Sequence, residues 1–203
     1  MQIFRHTLRG EAEHVGIALS TRQLDAFCQH YELLLKWNPR IRLVATTDPA
    51  RAARELFADS LVLARFVERY AAEPPGTGTS GSDVPQMVDI GAGAGLVGIP
   101  LKILWPHWGL VVIDSHAKKI AFTKTAARQL ALTSVRDVRG RAEEVAHRGD
   151  FRERFDLAFC RAVGPPPLAC ELAVPFLKVG GSFIVQAGEP RSSMEPYEGP
   201  KDL

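Results

Sequence analysis

Long hydrophobic runs are missing from this chain. No apolar stretch approaches the roughly 18 residues that a membrane-spanning helix needs, and the opening residues Met1-Gln2-Ile3-Phe4-Arg5-His6 contain no apolar core of a secretory leader. A soluble, cytoplasmic protein is therefore expected. Cysteine is scarce. Cys28, Cys160 and Cys170 have neither metal-ligand nor redox spacing, so they read as buried thiols of a reducing compartment and no metal site is expected. Charge of one sign is also lacking. A formal net charge of +2 neither demands nor excludes a nucleic-acid partner, because binding needs a local patch. No aromatic-interleaved RNA-binding motif is present.

What remains is ordinary globular composition, 203 residues with 46% hydrophobic and 24% charged. That size predicts one domain with a small appendage and a core that needs no disulfides. The first third is patterned for helices. Ser20 and Gln23 have capping-box spacing, and Leu24, Phe27, Tyr31, Leu34 and Leu35 recur on one helical face. Asn38-Pro39 predicts the end of that helix, since the residue before proline avoids helical angles. Asp48-Pro49 is a second start signal, a capping carboxylate followed by proline, and Leu56, Ser60, Leu63 and Val67 continue on one side. A Pro/Gly/Ser/Thr-rich stretch comes next. The predicted organisation is a helical region over 1–73, a flexible loop over 74–86, a second unit over 87–188 and an irregular tail over 189–203.

Beyond the loop, short apolar runs alternate with amphipathic stretches. Strands are predicted at Met87–Ile90, Leu110–Asp114, Val135–Val138, Phe155–Cys160 and Gly181–Val185. Helices are predicted near 97–104, at His116–Leu130, Arg141–His147 and Leu168–Leu177. Such alternation implies an α/β fold with a parallel sheet covered on both faces. Ligands in such sheets bind at the carboxyl ends of the strands.

Gly91, Gly93, Gly95 and Gly98 come after the first of these strands and open a helix. Glycine there permits a tight turn and close approach of backbone to a ligand. Gly93, Gly95 and Gly98 alone fit the dinucleotide fingerprint, which leaves an NAD(P)-linked oxidoreductase as an alternative. Asp89 argues against it. A carboxylate just before the turn is poor company for a pyrophosphate and suits a ligand with positive groups, such as the ammonium and sulfonium of S-adenosylmethionine. Asp114, roughly twenty positions on, can accept from both ribose hydroxyls of either cofactor. The plainer alternative is a packing turn, with Asp114 only capping the next helix.

The residues around this turn resemble a known family. Asp89-Ile90-Gly91-Ala92-Gly93-Ala94-Gly95-Leu96-Val97-Gly98-Ile99-Pro100-Leu101 is similar to the glycine motif of the RsmG (GidB) methyltransferases. The run from Val112 to Phe122 resembles their D-S-x-x-K-K segment. Arg141-Ala142-Glu143-Glu144, the run from Phe155 to Val163, Tyr31 to Asn38 and Asp59-Ser60 resemble further family segments. The likeness covers about residues 20 to 188.

This resemblance implies a Rossmann-like class I S-adenosylmethionine-dependent methyltransferase fold with an N-terminal helical extension. It implies methylation of a guanine N7 in the decoding region of small-subunit ribosomal RNA, acting on the RNA or a ribosomal particle. The implied cofactor contacts are Gly91, Leu96, Ala142, Glu143 and Arg161; the residue reading adds Asp89, Gly93, Gly95 and Asp114. Arg161 is the expected catalytic residue, shaping the place where cofactor and base meet. Glu143 could instead be a solvated helix residue, and Arg161 an ion-pair partner of a neighbouring helix. Two arginine groups, Arg40, Arg42, Arg51 and Arg54, then Arg136, Arg139 and Arg141, are candidates for phosphate contact or simply a solvated face.

The chain departs from the family pattern at Arg42-Leu43-Val44, where N-L-T is usual, at Leu56, where a histidine is usual, and at Ala187, where a lysine is usual. Its last residues lack the pattern of the two closing strands, which predicts a sheet ending at five strands or completed by a partner. These departures leave open a methyltransferase-fold protein with another substrate, or one that binds cofactor without methylating ribosomal RNA.

Overall fold

The computed structural model describes residues 1–72 and 84–186. The predicted loop lies largely outside the described residues, as do Ala187 and the whole tail.

The N-terminal region is helical: α1 (Gln2–His14), α2 (Thr21–Ile41), α3 (Pro49–Ala52) and α4 (Asp59–Ala72), with a π-helical turn at Ala53–Ala58 between the last two. The α2 start is built as its sequence predicts. Ser20 accepts from the Gln23 amide while the Gln23 side chain accepts from the Ser20 amide, a closed capping box. The α2 end differs from expectation. Pro39 lies inside the helix, which runs to Ile41 before Arg42 turns left-handed at φ 49°. A proline so close to the C-terminus removes only one bond of the last turn. The Asn38 side chain ties that end down by accepting from the Val44 amide and donating to the Val44 carbonyl. The departure at Val44 therefore falls where Asn38 holds the backbone and the side chain packs at the edge of the core.

The second unit has five parallel strands, β1 (Gln86–Ile90), β2 (Gly109–Asp114), β3 (Val135–Arg139), β4 (Phe155–Arg161) and β5 (Leu177–Gln186), in the order β3-β2-β1-β4-β5. Four helices connect them: α5 (Gly98–Leu104), α6 (Ala117–Gln129), α7 (Ala142–Ala146) and α8 (Pro166–Ala173). The helix expected over Leu168–Leu177 starts earlier, ends at Ala173 and tightens into a 3-10 turn at Val174–Phe176. Pro175 cannot donate into an α-helical ladder, so the chain turns there and Leu177 already begins β5. The β4–β5 register shifts between Phe155 and Leu157.

The period-two pleat sorts each strand between two cores. Met87, Leu110, Val112, Leu157 and Phe159 face α2, α5, α6 and the π turn. Val88, Ile90, Val111, Ile113, Ala158 and Cys160 face α7 and α8. The N-terminal helices are thus one covering layer of the sheet. Phe4 stacks on Tyr31 at 4.3 Å, and Phe57 meets both edge-on. Cys28 and Cys160 are buried as expected, whereas Cys170 is exposed on α8. Burial pushes the Cys160 thiol up to about 12, so it is inert at neutral pH. Among the described residues, no helix is long and apolar enough to cross a membrane.

Candidate active site

Strand order reverses between β1 and β4, and the crevice outside their carboxyl ends is where a doubly wound sheet binds ligands. A cleft of about 300 Å³ lies there, lined by Gly91, Asp114, His116, Arg141, Ala142, Glu143, Ala162, Val163 and Leu172 among others. A larger cleft of about 690 Å³ lies at the opposite end, against Gln86, Gly109, Val135 and Phe155 at the amino ends of four strands. It contains no residue of the glycine turn.

The turn leaves β1 through three left-handed glycines, Gly91 at φ 68°, Gly93 at 59° and Gly95 at 63°. At Gly91 the constraint is double, because an added Cβ would stand 2.7 Å from Val163 Cγ2. Gly91→Ala is therefore expected to cost about 1–2 kcal/mol in backbone conformation. It should also push Val163 from the cleft wall and weaken ligand binding. Thermal unfolding and S-adenosylmethionine titration check this, and an unchanged melting temperature with unchanged binding would refute it.

Asp114 closes β2 and organises the turn. Its Oδ2 accepts from the Gly93 amide at 2.9 Å, and its Oδ1 accepts from the His116 amide at 2.8 Å. His116 Nδ1 and Lys119 Nζ lie at 3.0 Å and 3.8 Å. The carboxylate fixes the turn into α6 through the His116 amide without capping the helix, and it lines the cleft. Gly91, Asp114, Ala142 and Glu143 are brought together in this cleft; Glu143 stays solvated at its rim, 3.8 Å from Arg141.

Asp89 is placed elsewhere. Pleat alternation turns it with Met87 toward the N-terminal layer, where it is 1% exposed and accepts from the Gly98 amide at 2.8 Å. Its carboxylate holds the start of α5 and does not line the cleft. Burial pushes it up to about 7, opposed by the Gly98 amide and Arg161 and assisted by Asp114. Gly93 and Gly95 shape the turn without lining the cleft. Leu96 sits behind it, its carbonyl accepting from Ser60 Oγ.

Arg161, at the end of β4, points toward the N-terminal helices. Nη1 donates to the Leu56 carbonyl at 2.9 Å, and Nη2 donates to the Glu55 carbonyl at 2.8 Å and to Asp59 Oδ2 at 3.1 Å. The carbonyls belong to the π turn, so the guanidinium braces an irregular helix segment against the sheet. Leu56, where a histidine is usual in the family, takes part through its backbone. Next to Arg161, Ala162 turns left-handed at φ 53°, a conformation costly for alanine, and so directs Val163 onto Gly91.

Sequence reasoning did not pick out Ala162, Val163, Leu172, Ser60 or His30 for the site. Ser60, Ala162 and Val163 fell within family-like segments without a role being read for them, and His30 carried a signal of its own, a histidine three residues after Phe27 on the apolar face of α2. The arginine groups are divided. Arg51 pairs with Glu55, Arg54 with Glu11 and Arg136 with Asp150, and Arg136 lines the cleft at the wrong end of the sheet. No group of three or more potential metal ligands is gathered among the described residues.

A parallel sheet with this switch point, a glycine turn after β1 and an acidic residue closing β2 fit the class I S-adenosylmethionine-dependent methyltransferase fold, and a solved neighbour shows it. A solved structure from Staphylococcus aureus, provisionally described as a caffeoyl-CoA O-methyltransferase, superposes with a TM-score of 0.53 at 15% identity, covering 76% of this chain and 65% of that one. The chain belongs to the rRNA small subunit methyltransferase G (GidB) family, whose model matches residues 23–195. It is 36% identical over 187 residues to the ribosomal RNA small subunit methyltransferase G of Caldanaerobacter subterraneus subsp. tengcongensis, covering 92% of this chain and 72% of that relative. The protein of that name from Streptococcus gordonii is 38% identical over 169 residues, covering 83% and 67%.

Proposed function

We propose that this protein transfers a methyl group from S-adenosylmethionine to N7 of a guanine in the decoding region of small-subunit ribosomal RNA, in the cytoplasm. The observation that carries this reading is the cleft at the β1/β4 switch point, in which a left-handed glycine turn and Asp114 face Ala142 and Glu143, in a chain of this family. The unit over 87–188 is read as the methyltransferase domain. The helices within 1–72 cover one face of its sheet.

The cleft suits the cofactor chemically. Asp114 keeps acceptor capacity for ribose hydroxyls beyond its bonds to Gly93 and His116. Ile90, Ile113, Ala142, Val163 and Leu172 supply apolar wall. Gly91 lets backbone approach closely. S-adenosylmethionine in this cleft supplies an electrophilic methyl group.

The chain needs to supply little else. Guanine N7 carries a lone pair and no proton, so no general base is required. The protein's task is to hold acceptor and methyl group in line and to exclude water. Arg161 serves that task as a brace, fixing the π turn and Asp59 beside the carboxyl end of β4.

The test is methyl transfer to small-subunit particles from cells lacking the guanine mark, with the modified base identified. Transfer to guanine N7 is expected. Cofactor binding without transfer to such particles or their RNA would overturn the substrate assignment and leave the fold class standing.

A further inference from the structure

Two buried side chains of the N-terminal helices reach the glycine turn from behind. Ser60, fully buried at the start of α4, donates its hydroxyl to the Leu96 carbonyl. His30, fully buried in α2, lies between Phe57 at 5.4 Å and Phe122 at 6.0 Å, with Nε2 3.3 Å from the Ala94 carbonyl. A carbonyl only accepts, so Nε2 carries the hydrogen and Nδ1 keeps a bare lone pair. Nδ1 has no hydrogen-bond partner, and burial pulls the imidazole down to about 4. A neutral histidine is thus held with one nitrogen unsatisfied, and its single polar contact is with the turn.

The two carbonyls flank Gly95, itself left-handed at φ 63°. With three left-handed glycines, rotation of the intervening peptide planes meets little steric resistance. A planar peptide fixes its N–H opposite its C=O. Holding the Ala94 carbonyl therefore also orients the Gly95 amide, which donates to Ala92 at 2.8 Å. Holding the Leu96 carbonyl orients the Leu96–Val97 plane, two peptides further on. The front of the turn is held by Asp114 through the Gly93 amide; behind it Asp89 holds the Gly98 amide, and His30 and Ser60 of the N-terminal helices hold the Ala94 and Leu96 carbonyls.

We propose that Ser60 and His30 are positioning residues for the cofactor turn, keeping it in the conformation that S-adenosylmethionine binds. The N-terminal layer is then part of the cofactor site without touching the cofactor. The inference rests on reading this turn as the cofactor site.

The test compares Ser60→Ala with Phe176→Leu, a buried core change beside the amino end of β5 on the other face of the sheet, in the full chain. Three quantities are measured: backbone amide exchange across 91–98 without ligand, the S-adenosylmethionine dissociation constant by calorimetry, and KM against kcat for methyl transfer. Loss of one buried hydrogen bond is expected to weaken cofactor binding about tenfold, with faster exchange in the turn, a raised KM for the cofactor and little change in kcat. Phe176→Leu should lower stability without either effect on the turn. Unchanged exchange and unchanged affinity in Ser60→Ala overturn the proposal, and so do equal losses in both variants, which would mark a merely structural role. If Ser60→Ala fails to fold, His30→Gln is measured against His30→Phe, and the proposal requires tighter binding and slower turn exchange in the variant that keeps a donor. A wild-type chain that binds no S-adenosylmethionine refutes the underlying site reading instead, and turn exchange in the ligand-free variants still decides the positioning claim.

Discussion

Arg161→Ala is expected to lower stability by about 2 kcal/mol and methyl transfer by at least about tenfold. The guanidinium donates to two π-turn carbonyls and to Asp59, and charge-assisted bonds of this kind are worth about 1.5–3 kcal/mol where buried. The ion pair itself adds little, because the Arg161 and Asp59 side chains are 22% and 40% exposed and solvent screens such pairs to about 0–1 kcal/mol. The larger part of the loss is the two carbonyls left without their donor. Arg161→Lys should recover only part, since an ammonium keeps the charge without the planar fork that reaches both carbonyls. Chemical denaturation and kcat/KM for methyl transfer are the measurements. Full stability with lost activity would contradict a brace and place the guanidinium at the reacting atoms.

The second large effect is a pH dependence that the wild type conceals. His30 is neutral in the fold and titrates near 4, against 6.5 in an unfolded chain. As pH falls below 6.5 the unfolded chain takes up a proton that the folded one refuses, so His30 costs stability progressively down to about pH 4, about 3 kcal/mol in all. Asp89 has the opposite sign. Its folded value near 7 lies above the ordinary 3.8, so the folded state holds a proton that the unfolded state has lost. That contribution is fully present below pH 3.8 and disappears as pH rises through 7. Between about pH 4 and 6.5 each state carries one proton on a different group, and the two slopes cancel. Asp89→Asn keeps an oxygen to accept from the Gly98 amide and removes one of the slopes. Relative to wild type, it should lose about 3 kcal/mol between about pH 6.5 and pH 4, read from urea unfolding across that range. A constant difference between the two proteins would refute the assigned protonation states.

Much of the architecture was legible along the chain. The capping box at Ser20 and Gln23, the alternation of apolar runs and the glycine turn are local patterns set by helical and strand periods, and the structure carries each of them. The errors were local too. Pro39 did not end α2, because a proline near a helix C-terminus removes too little to stop it and the Asn38 side chain secures the helix end against Val44. Pro175, by contrast, did break its helix, shortly before the predicted end at Leu177.

The site was legible in part. Gly91, Asp114, Ala142 and Glu143 lie at the ends of strands or the starts of helices, and a parallel sheet necessarily gathers such positions at one edge. Asp89 was found by position but not by direction. A strand turns alternate residues to opposite faces, and its carboxylate went under α5 with Met87 on its side of the sheet. Ala162 and Val163 lay inside a family-like segment, but their roles gave no signal, since neither a left-handed alanine nor a valine seated on a distant glycine changes the local pattern.

The sequence by itself determined the strand–helix alternation, the turn that comes after β1 and the acidic residue that closes β2, because each depends on neighbours within a few positions. Tertiary structure alone decided what the N-terminal helices do. Arg161 meets Leu56 across 105 positions, His30 meets Ala94 across 64 and Ser60 meets Leu96 across 36. Contacts at such separations depend on how two layers settle on one another. Only that packing turned a helical appendage into a layer bonded to the back of the glycine turn.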